Sequence, residues 1–306
     1  MSDENERERA ADSRCGFVAV LGAPNVGKST LVNRLVGSKV SIVSPKVQTT
    51  RSRVLGIVIH DRAQLVLVDT PGIFLPRRRL DRAMVAAAWS GASDADAIVL
   101  VVDSSKGLTR DTREIVERLK DNGRSVIVAL NKVDLVKKPR LLDLAAKLAD
   151  EGVASDTFMI SAFTGDGVND LLACLVERLP PGPWLFPEDQ ISDMPMRLLA
   201  AEITREKLFL QLREELPYAT AVETECWSEQ EDGSARIDQV IYVLKANQKA
   251  IVLGSGGRQI KAIGTAAREE LEALFERRIH LFLYVKVRDW SDDPERYRDL
   301  GLDFNV

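Results

Sequence analysis

A glycine-rich run near the start of the sequence has the spacing of a phosphate-binding loop. Gly22 and Gly27 enclose four residues, and Lys28 and Ser29 follow directly. The two glycines permit backbone angles that a side chain would block, so successive N–H groups can converge on phosphate oxygens. Lys28 adds a positive charge for the outer phosphates, and Ser29 offers a hydroxyl that can serve as a magnesium ligand. The pattern predicts a P-loop.

The neighbouring sequence supports this interpretation. Residues 17–21 are an apolar run typical of a buried strand, and an amphipathic helix is predicted from Ser29 onward. The loop then lies at the positive end of a helix dipole, which favours bound anions. The alternative is a glycine-bearing surface turn that carries a lysine by coincidence, and it would not require a strand and a helix on either side.

Further polar groups follow later predicted strands. They are Asp69-Thr70-Pro71-Gly72, Asn131-Lys132-Val133-Asp134 and Ser161-Ala162. In a parallel sheet, ligand chemistry collects at the carboxyl ends of the strands, which is where these segments lie. Asp69 suits the outer shell of a magnesium ion, and the N–H of Gly72 can hydrogen-bond a terminal phosphate. Asp-Thr-Pro-Gly without a preceding P-loop would indicate only a turn.

The tetrapeptide that ends in Asp134 indicates the base. Its carboxylate can accept from the ring N1–H and the exocyclic amine of guanine together, whereas adenine offers no such pair and would leave the carboxylate unpaired. The backbone N–H groups of Ser161-Ala162 could lie near the guanine carbonyl. These residues predict GTP rather than ATP and argue against an ATPase. Alone, the tetrapeptide would more often be a helix cap.

A polar stretch at 41–53, between the P-loop and Asp69, contains Thr49 and Thr50. A threonine hydroxyl here could coordinate magnesium only when the third phosphate is present, which would make the stretch a nucleotide sensor. We favour Thr50 for this role. The alternative is that these are ordinary polar loop residues.

Alternation of strands and helices from residue 17 to about 180 predicts an α/β fold with a mostly parallel, doubly wound sheet. Prolines at 180, 181, 183, 187 and 195 predict a linker. In chain order, the sequence predicts a disordered segment at 1–14, a GTPase domain at 15–180, a linker at 181–195, a smaller α+β domain at 196–290, and a tail at 291–306. In the smaller domain we expect a helix at 198–215, strands at 219–227, 237–245 and 279–287, and a helix at 260–277.

Composition limits the classes of protein. The chain has 306 residues, 45% apolar and 29% charged, which suits a globular protein with two domains. No run approaches a membrane span, and residues 1–14 lack the apolar core of a signal peptide. Three dispersed cysteines fit a reducing cytosol and neither a disulfide framework nor a zinc site. We therefore expect a cytoplasmic protein.

The second domain carries a weaker signal for RNA. Gly254-Ser255-Gly256-Gly257 precedes a predicted helix, and such a turn can bring backbone N–H groups against a nucleic-acid backbone. Residues 245–288 hold nine basic and four acidic residues, but residues 191–306 hold 16 basic and 21 acidic ones. Any RNA surface must then be a local patch. The alternative is a plain strand-to-helix turn.

The four nucleotide motifs in this order resemble a translation-factor-related GTPase. With the run 252–261, Ile263-Gly264-Thr265 and the run 285–290, which look like a type II KH domain, the chain closely resembles the bacterial Era family from residue 15 to 300. The resemblance implies a GTPase that binds the 3′ end of 16S rRNA and assists maturation of the small ribosomal subunit. The resemblance also implies that peripheral contact with the inner face of the cell membrane is possible. We expect a monomer, and we expect GTP to strengthen RNA binding.

The resemblance also assigns roles to residues. The nucleotide-binding set is Gly22, Ala23, Pro24, Asn25, Val26, Gly27, Lys28, Ser29, Thr30, Asp69, Thr70, Pro71, Gly72, Ile73, Asn131, Lys132, Val133, Asp134, Ser161 and Ala162. Catalytic roles fall to Asn25, Lys28, Thr50 and Gly72, and magnesium ligation falls to Ser29, Thr50 and Asp69. The RNA-binding set is Gly254, Ser255, Gly256, Gly257, Arg258, Lys261 and Arg268. Ser255 stands where the family often has lysine.

Hydrolysis is expected to be slow. Related GTPases often place a glutamine after the Asp-x-x-Gly glycine to orient water, but this chain has Ile73. Asn25 resembles that of GTPases in which K⁺ supplies charge, and we hypothesise such an ion beside Asn25 and the 41–53 stretch. Two alternatives stay open: an RNA-binding assembly scaffold that holds nucleotide without turnover, and a related GTPase acting in RNA modification.

Overall fold

The computed structural model describes residues 13–76, 78–290 and 293–306. Two compact units are present. Of the described residues, the first comprises 13–41, Thr50–Asp193 and Leu300–Val306, and the second comprises Ile42–Thr49 and Met194–Asp299. The disorder expected at 1–14 concerns residues of which 1–12 lie outside the described part of the chain, and Arg14 already begins a strand.

The first unit is built on a six-stranded sheet. Its strands are β1 (Arg14–Leu21), β2 (Val54–His60), β3 (Ala63–Asp69), β4 (Ala97–Asp103), β5 (Val126–Asn131) and β6 (Ala154–Met159). The spatial order is β2-β3-β1-β4-β5-β6, and only β2, which pairs with β3, runs antiparallel. The predicted mostly parallel α/β sheet is confirmed.

Helices follow the strands of the first unit. They are α1 (Lys28–Val36), α2 (Arg79–Ser93), α3 (Arg110–Asp121), α4 (Lys138–Asp150) and α5 (Val168–Arg178). The strands β3 and β4 are buried along their whole length, because helices cover both faces of the sheet. Their apolar side chains therefore form continuous runs instead of alternating with polar ones.

The second unit has a three-stranded sheet and helices. Its elements are α6 (Met196–Gln211), β7 (Thr220–Glu229), β8 (Ala235–Val243), α7 (Ala246–Leu253), α8 (Arg258–Phe275), β9 (Ile279–Val287) and the short α9 (Pro294–Asp299). Strand β8 pairs antiparallel with β7 and parallel with β9. The helix expected at 198–215 ends earlier, at Gln211, because Leu212 adopts an extended conformation.

The predicted linker region is held by the first unit up to Asp193. Gln64 is fully buried in β3, where its side-chain amide donates to the carbonyl of Phe186 at 2.8 Å. The Ser192 hydroxyl donates to the carbonyl of Leu55 at 2.7 Å. Prolines prevent regular structure here, but the backbone groups still find partners on β2 and β3.

Candidate nucleotide and RNA sites

The loop after β1 has the backbone shape that its glycines predict. Gly22 has φ 150° and Gly27 has φ 102°, both in the region that L side chains rarely adopt. A Cβ atom at Gly22 would lie 2.5 Å from the Val101 carbonyl, and one at Gly27 would lie 2.3 Å from the Asn131 amide nitrogen. Both positions therefore require glycine for conformation and for space.

The remaining loop residues are packed around this turn. Ala23 and Val26 are buried, and Thr30 lies in the first turn of α1. Asn25 has φ 62°, a conformation that asparagine tolerates better than most residues. Helix α1 begins at Lys28, so its amino-terminal N–H groups face the same loop. This arrangement can bind phosphate oxygens.

Lys28 closes the loop in this structure. Its ammonium donates to the carbonyls of Gly22 and Ala23, each at 3.1 Å, and only 6% of the residue is exposed. Burial lowers the pKa of Lys28 from 10.5 to about 8, and the negative charge of Asp69 opposes part of that shift. A phosphate group beside this ammonium would favour its charged form.

The predicted magnesium ligands meet in one cluster. The Ser29 hydroxyl donates to Oδ2 of Asp69 at 2.7 Å, and the hydroxyls of Ser29 and Thr50 lie 2.9 Å apart. Ser41, a residue that no motif predicts, donates to the same Asp69 oxygen at 2.6 Å. Ser41 is the first residue of the polar 41–53 stretch, and the polar composition of that stretch is the sequence feature that could have indicated its role.

This cluster fits a magnesium ion. Mg²⁺ prefers hard oxygen ligands, and the cluster consists of hydroxyl and carboxylate oxygens. Oδ1 of Asp69 is buried and has no hydrogen-bond partner within the described residues, so the carboxylate has a free acceptor. Burial raises the pKa of Asp69, while hydrogen bonds from Ser29 and Ser41 and the charge of Lys28 lower it. A cation here would stabilise the ionised form.

The segment after β5 is attached to the P-loop. The Asn131 side chain donates to the Val26 carbonyl at 2.8 Å and accepts from the Ala162 N–H at 2.9 Å. The Lys132 ammonium donates to the Asn25 carbonyl and to Oδ2 of Asp103, both at 2.7 Å. Asn131 and Lys132 therefore hold three loops together.

Asp103 is a further residue of this site that no sequence motif marks. It ends β4 and is buried. Burial tends to raise its pKa, but hydrogen bonds from Lys132 and Ser105 outweigh that effect and hold the pKa below its usual value. The available signal was a lone aspartate at a strand end, which has no spacing pattern of its own.

Asp134 differs from its neighbours because it is exposed. It lies with Val133 in a short 3-10 helix at Val133–Leu135, just after β5. Its carboxylate is thus open to a ligand, as base recognition requires. Ser161 and Ala162 are buried, and the Ala162 N–H is used by Asn131. The structure brings these residues together at the carboxyl ends of β5 and β6.

The segment after β3 packs on the P-loop. A Cβ atom at Gly72 would lie 2.9 Å from the Cα of Pro24, which explains the glycine. The Ile73 N–H donates to the Gly22 carbonyl at 3.1 Å, and the side chain of Ile73 is buried and apolar. Thr70 and Pro71 are buried as well, and the Thr70 hydroxyl donates to the Val20 carbonyl. Ile73 offers no polar group that could orient a water.

The glycine turn of the second unit joins α7 to α8. Gly254, Gly256 and Gly257 all have positive φ, between 60° and 76°. A Cβ atom at Gly254 would meet Gln259 at 2.6 Å, whereas none of the described atoms lies within 4 Å of a Cβ built at Gly256. Ser255 and Gly256 are exposed, so another backbone can approach the turn closely.

Basic side chains extend from this turn along α8. Arg258, Lys261 and Arg268 are exposed, and their spacing places them on one side of the helix. Nε of Arg258 donates to the Ser255 carbonyl at 3.2 Å. By contrast, Trp290 in the 285–290 run is buried, and its indole donates to the Ala219 carbonyl at 3.2 Å. The patch is therefore basic, and the tryptophan is structural.

The described part of the chain offers neither a cluster of metal-binding histidine, cysteine or acidic side chains nor a membrane-spanning helix. Residues 13–76, 78–290 and 293–306 contain no group of three or more histidine, cysteine or acidic side chains arranged to hold a metal; the cluster at Asp69 is of another kind, with one carboxylate among hydroxyls. Across the same residues, no helix combines the length and the apolar character needed to cross a membrane.

Comparison with known proteins matches each of the two parts of the chain to a known family. The family model described as 50S ribosome-binding GTPase matches residues 17–132, and the KH domain model matches residues 215–291. The chain is 62% identical over 309 residues to GTPase Era of Sinorhizobium medicae, with 99% of both chains covered. The chain belongs to the GTPase Era family. GTPase Era of Brucella suis is 60% identical over 297 residues, with 96% of this chain and 95% of that one covered.

Solved structures of Era are similar in three dimensions. One is a crystal structure of Era in complex with MgGDPNP and nucleotides 1506–1542 of 16S ribosomal RNA. Another is Aquifex aeolicus Era Y63A bound to GDP.AlF4-. Each has 40% identity and a TM-score of 0.89, and covers 94% of this chain and 99% of its own. The family, the P-loop GTPase fold and the KH domain expected from sequence are confirmed, and the protein is a GTPase.

Proposed function

We propose that this protein binds GTP and GDP with Mg²⁺, hydrolyses GTP slowly, and binds the 3′ end of 16S rRNA during maturation of the small ribosomal subunit. The proposal depends chiefly on one observation: an Era structure that matches 94% of this chain holds both MgGDPNP and the 16S rRNA segment. The P-loop and the glycine turn lie within the ranges 17–132 and 215–291 that the two family models match, and Asp134, Ser161 and Ala162 follow the first of these ranges.

In the nucleotide site, each group has a chemical task. The P-loop N–H groups and Lys28 would bind the phosphates, and Ser29 and Thr50 would hold Mg²⁺ with Asp69 behind them. When bound, Mg²⁺ neutralises charge that develops on the phosphate oxygens. Asp134 would select guanine, and the Gly72 N–H would contact the terminal phosphate. Because Ile73 cannot orient water, turnover without a partner is expected to be slow.

In the RNA site, the turn at Gly254–Gly257 would meet the sugar-phosphate backbone. Arg258, Lys261 and Arg268 would neutralise phosphates, and they would offset the lack of a lysine at Ser255. Single-stranded RNA suits this surface, because KH domains clamp a few nucleotides at such a turn. We propose that GTP strengthens this binding relative to GDP.

RNA binding is tested with a labelled oligonucleotide of the 16S 3′ end in the presence of GDPNP. The double variant Arg258→Glu, Lys261→Glu should weaken binding by at least tenfold and reduce its salt dependence. Lys147→Glu, an exposed reversal of charge on α4, is the matched control and should have little effect. Equal RNA affinity of the wild type and the double variant would refute the assigned RNA surface.

Turnover distinguishes this function from a non-catalytic scaffold. Phosphate release from GTP should be measurable, and RNA should alter its rate. A protein that binds GTP tightly but releases no phosphate with or without RNA would instead be a scaffold. The cytoplasmic location, the monomeric state and the peripheral membrane contact stay predictions. Flotation with vesicles that contain anionic lipids tests the membrane contact.

A further inference from the structure

The 41–53 stretch contains a segment that belongs to the second unit. Residues Ile42–Thr49 group with Met194–Asp299, although Ser41 and Thr50 on either side belong to the first unit. Ser41 and Thr50 are the residues whose hydroxyls join the Asp69 cluster. The segment between them is therefore covalently tied to the proposed magnesium site at both ends.

Helix α6 holds this segment at several points. Oε1 of Glu206 accepts from the Val43 N–H at 2.7 Å, and Nη2 of Arg205 donates to the Thr49 carbonyl. Between them, the Lys46 ammonium donates to the carbonyl of Leu212, the extended residue that follows α6. The contacts of Arg205 and Glu206 are to backbone atoms, so they fix the path of the segment.

The two α6 side chains are charged and almost fully buried. Arg205 is 1% exposed and Glu206 is 3% exposed. Arg205 pairs with Glu202, with Nε 2.7 Å from Oε1, and Glu206 pairs with Lys207 at 3.0 Å. Nη1 of Arg205 is buried, and no hydrogen-bond partner for it occurs in the described chain. Apolar side chains would pack there at lower cost, so packing alone does not account for these charges.

The Thr49 carbonyl belongs to the peptide group that joins Thr49 to Thr50. Since a peptide group is planar, the hydrogen bond from Arg205 also fixes the nitrogen of Thr50. The hydroxyl of Thr50 lies 2.9 Å from that of Ser29, which contacts Asp69. Only the rotatable bonds of Thr50 therefore lie between the peptide group held by α6 and the Thr50 hydroxyl, the proposed magnesium ligand.

Helix α6 also shares its core with the glycine turn. Leu208 and Leu212 pack in one cluster with Val252 of α7 and Ile263 of α8. These two helices stand on either side of the turn at Gly254–Gly257. In addition, Gln259 of α8 donates to Gln211 of α6 at 3.2 Å. A shift of α6 would therefore displace the two helices that flank the glycine turn, and with them the proposed RNA site.

We propose that Arg205 and Glu206 are positioning residues that couple the magnesium site to the RNA site. If Thr50 shifts toward a bound nucleotide, the backbone held by these two side chains would move α6, and α6 would in turn alter the glycine turn. Coupling is reciprocal, so RNA bound at the turn changes the affinity for GTP by the same factor. The inference rests on the nucleotide control of RNA binding proposed above.

The test measures the dissociation constant of the 16S 3′-end oligonucleotide in the presence of GDP and of GDPNP. The value with GDP is divided by the value with GDPNP, so a ratio above one means that the GTP analogue strengthens RNA binding. Arg205→Gln and Glu206→Gln should each reduce this ratio at least fivefold, toward one. Arg205→Lys, which keeps the charge, should retain part of it. The matched control is Arg197→Gln, the same substitution at an exposed position of α6, and it should leave the ratio unchanged.

Val43→Pro gives a second test that leaves α6 unaltered and serves if the buried variants do not fold. Proline removes the N–H that Glu206 accepts, whereas Val43→Ala keeps it. In the proline variant, the logarithm of the ratio of dissociation constants should fall to half of its wild-type value or less. In the alanine variant, the ratio should equal that of the wild type.

The outcomes separate the two proposals. A wild-type ratio of one would refute nucleotide control, and with it this inference. A wild-type ratio well above one that persists in folded Arg205→Gln, Glu206→Gln and Val43→Pro would refute the inference alone. The inference also fails if Arg197→Gln reduces the ratio as strongly as Arg205→Gln does.

Discussion

The Asn131 side chain donates to the Val26 carbonyl at 2.8 Å, and this hydrogen bond joins the segment after β5 to the P-loop. The same side chain accepts from the Ala162 N–H at 2.9 Å. Asn131 is 2% exposed, so neither bond is easily replaced by water. The loops for phosphate and base are thus one connected structure before any ligand arrives.

We therefore expect Asn131→Ala to act on stability and affinity together. Loss of one side chain leaves a buried carbonyl and a buried N–H without partners, which costs roughly 1–3 kcal/mol for each group. The free energy of unfolding should fall by about 2 kcal/mol or more, measured by urea denaturation. Affinity for GDP should fall while the preference for guanine persists. An unchanged denaturation midpoint would contradict this role.

Asp134→Asn should change the base preference. The amide can donate where the carboxylate only accepts, so it no longer matches the two donors of guanine. Affinity for GTP should fall roughly 10- to 100-fold, since hydrogen bonds to a charged group are involved. Xanthosine triphosphate should gain affinity in the same competition assay. Asp143→Asn on α4, also exposed, is the control, and an unchanged base preference in Asp134→Asn would refute the assignment.

Much of the nucleotide site was predictable because its residues have local causes. Gly22 and Gly27 are needed where backbone approaches backbone, and Lys28 and Ser29 follow at a fixed spacing. Ser41 and Asp103 were not predicted, because their roles depend on partners far along the chain: Asp69 and Lys132. No local pattern marks such pairs.

The fold was predictable in a similar way. Alternating strands and helices from residue 17 to about 180 indicated a mostly parallel sheet, and the strand predicted at 279–287 has the bounds of β9. The grouping of Ile42–Thr49 with Met194–Asp299 could not be predicted from the sequence, because it depends on the buried charged side chains of Arg205 and Glu206. A charged pair within a helix ordinarily predicts an exposed face.

Lys28 should make nucleotide binding depend on pH. In the free protein its pKa is lowered from 10.5 to about 8, so the ammonium is lost above that pH, whereas bound phosphates favour the charged form. GDP affinity should fall with rising pH above 8, approaching tenfold per unit. Isothermal titration between pH 7 and 9.5 measures it. Lys28→Arg, which stays charged, should flatten this dependence, and an equally steep fall in that variant would refute the role of Lys28.

The same pKa fixes the sign of a stability effect. Between pH 8 and 10.5 the unfolded chain holds a proton on this lysine that the folded protein has lost. Because the unfolded state binds more protons in this window, the contribution of Lys28 to the free energy of unfolding should rise with pH. Denaturation midpoints of the wild type should therefore rise across the window relative to those of Lys28→Met, which does not titrate. A relative fall would contradict the lowered pKa.

Potassium should accelerate GTP hydrolysis through Asn25. The apolar side chain of Ile73 cannot orient the attacking water. Catalysis therefore depends more strongly on positive charge that stabilises the transition state. Phosphate release in KCl should exceed that in NaCl of equal ionic strength by on the order of tenfold. Asn25→Gly keeps the freedom for a φ of 62° but removes the carboxamide, so it should abolish the difference while GDPNP still binds. Equal turnover of the wild type in both salts, or a potassium effect that survives in Asn25→Gly, would refute the proposed ion.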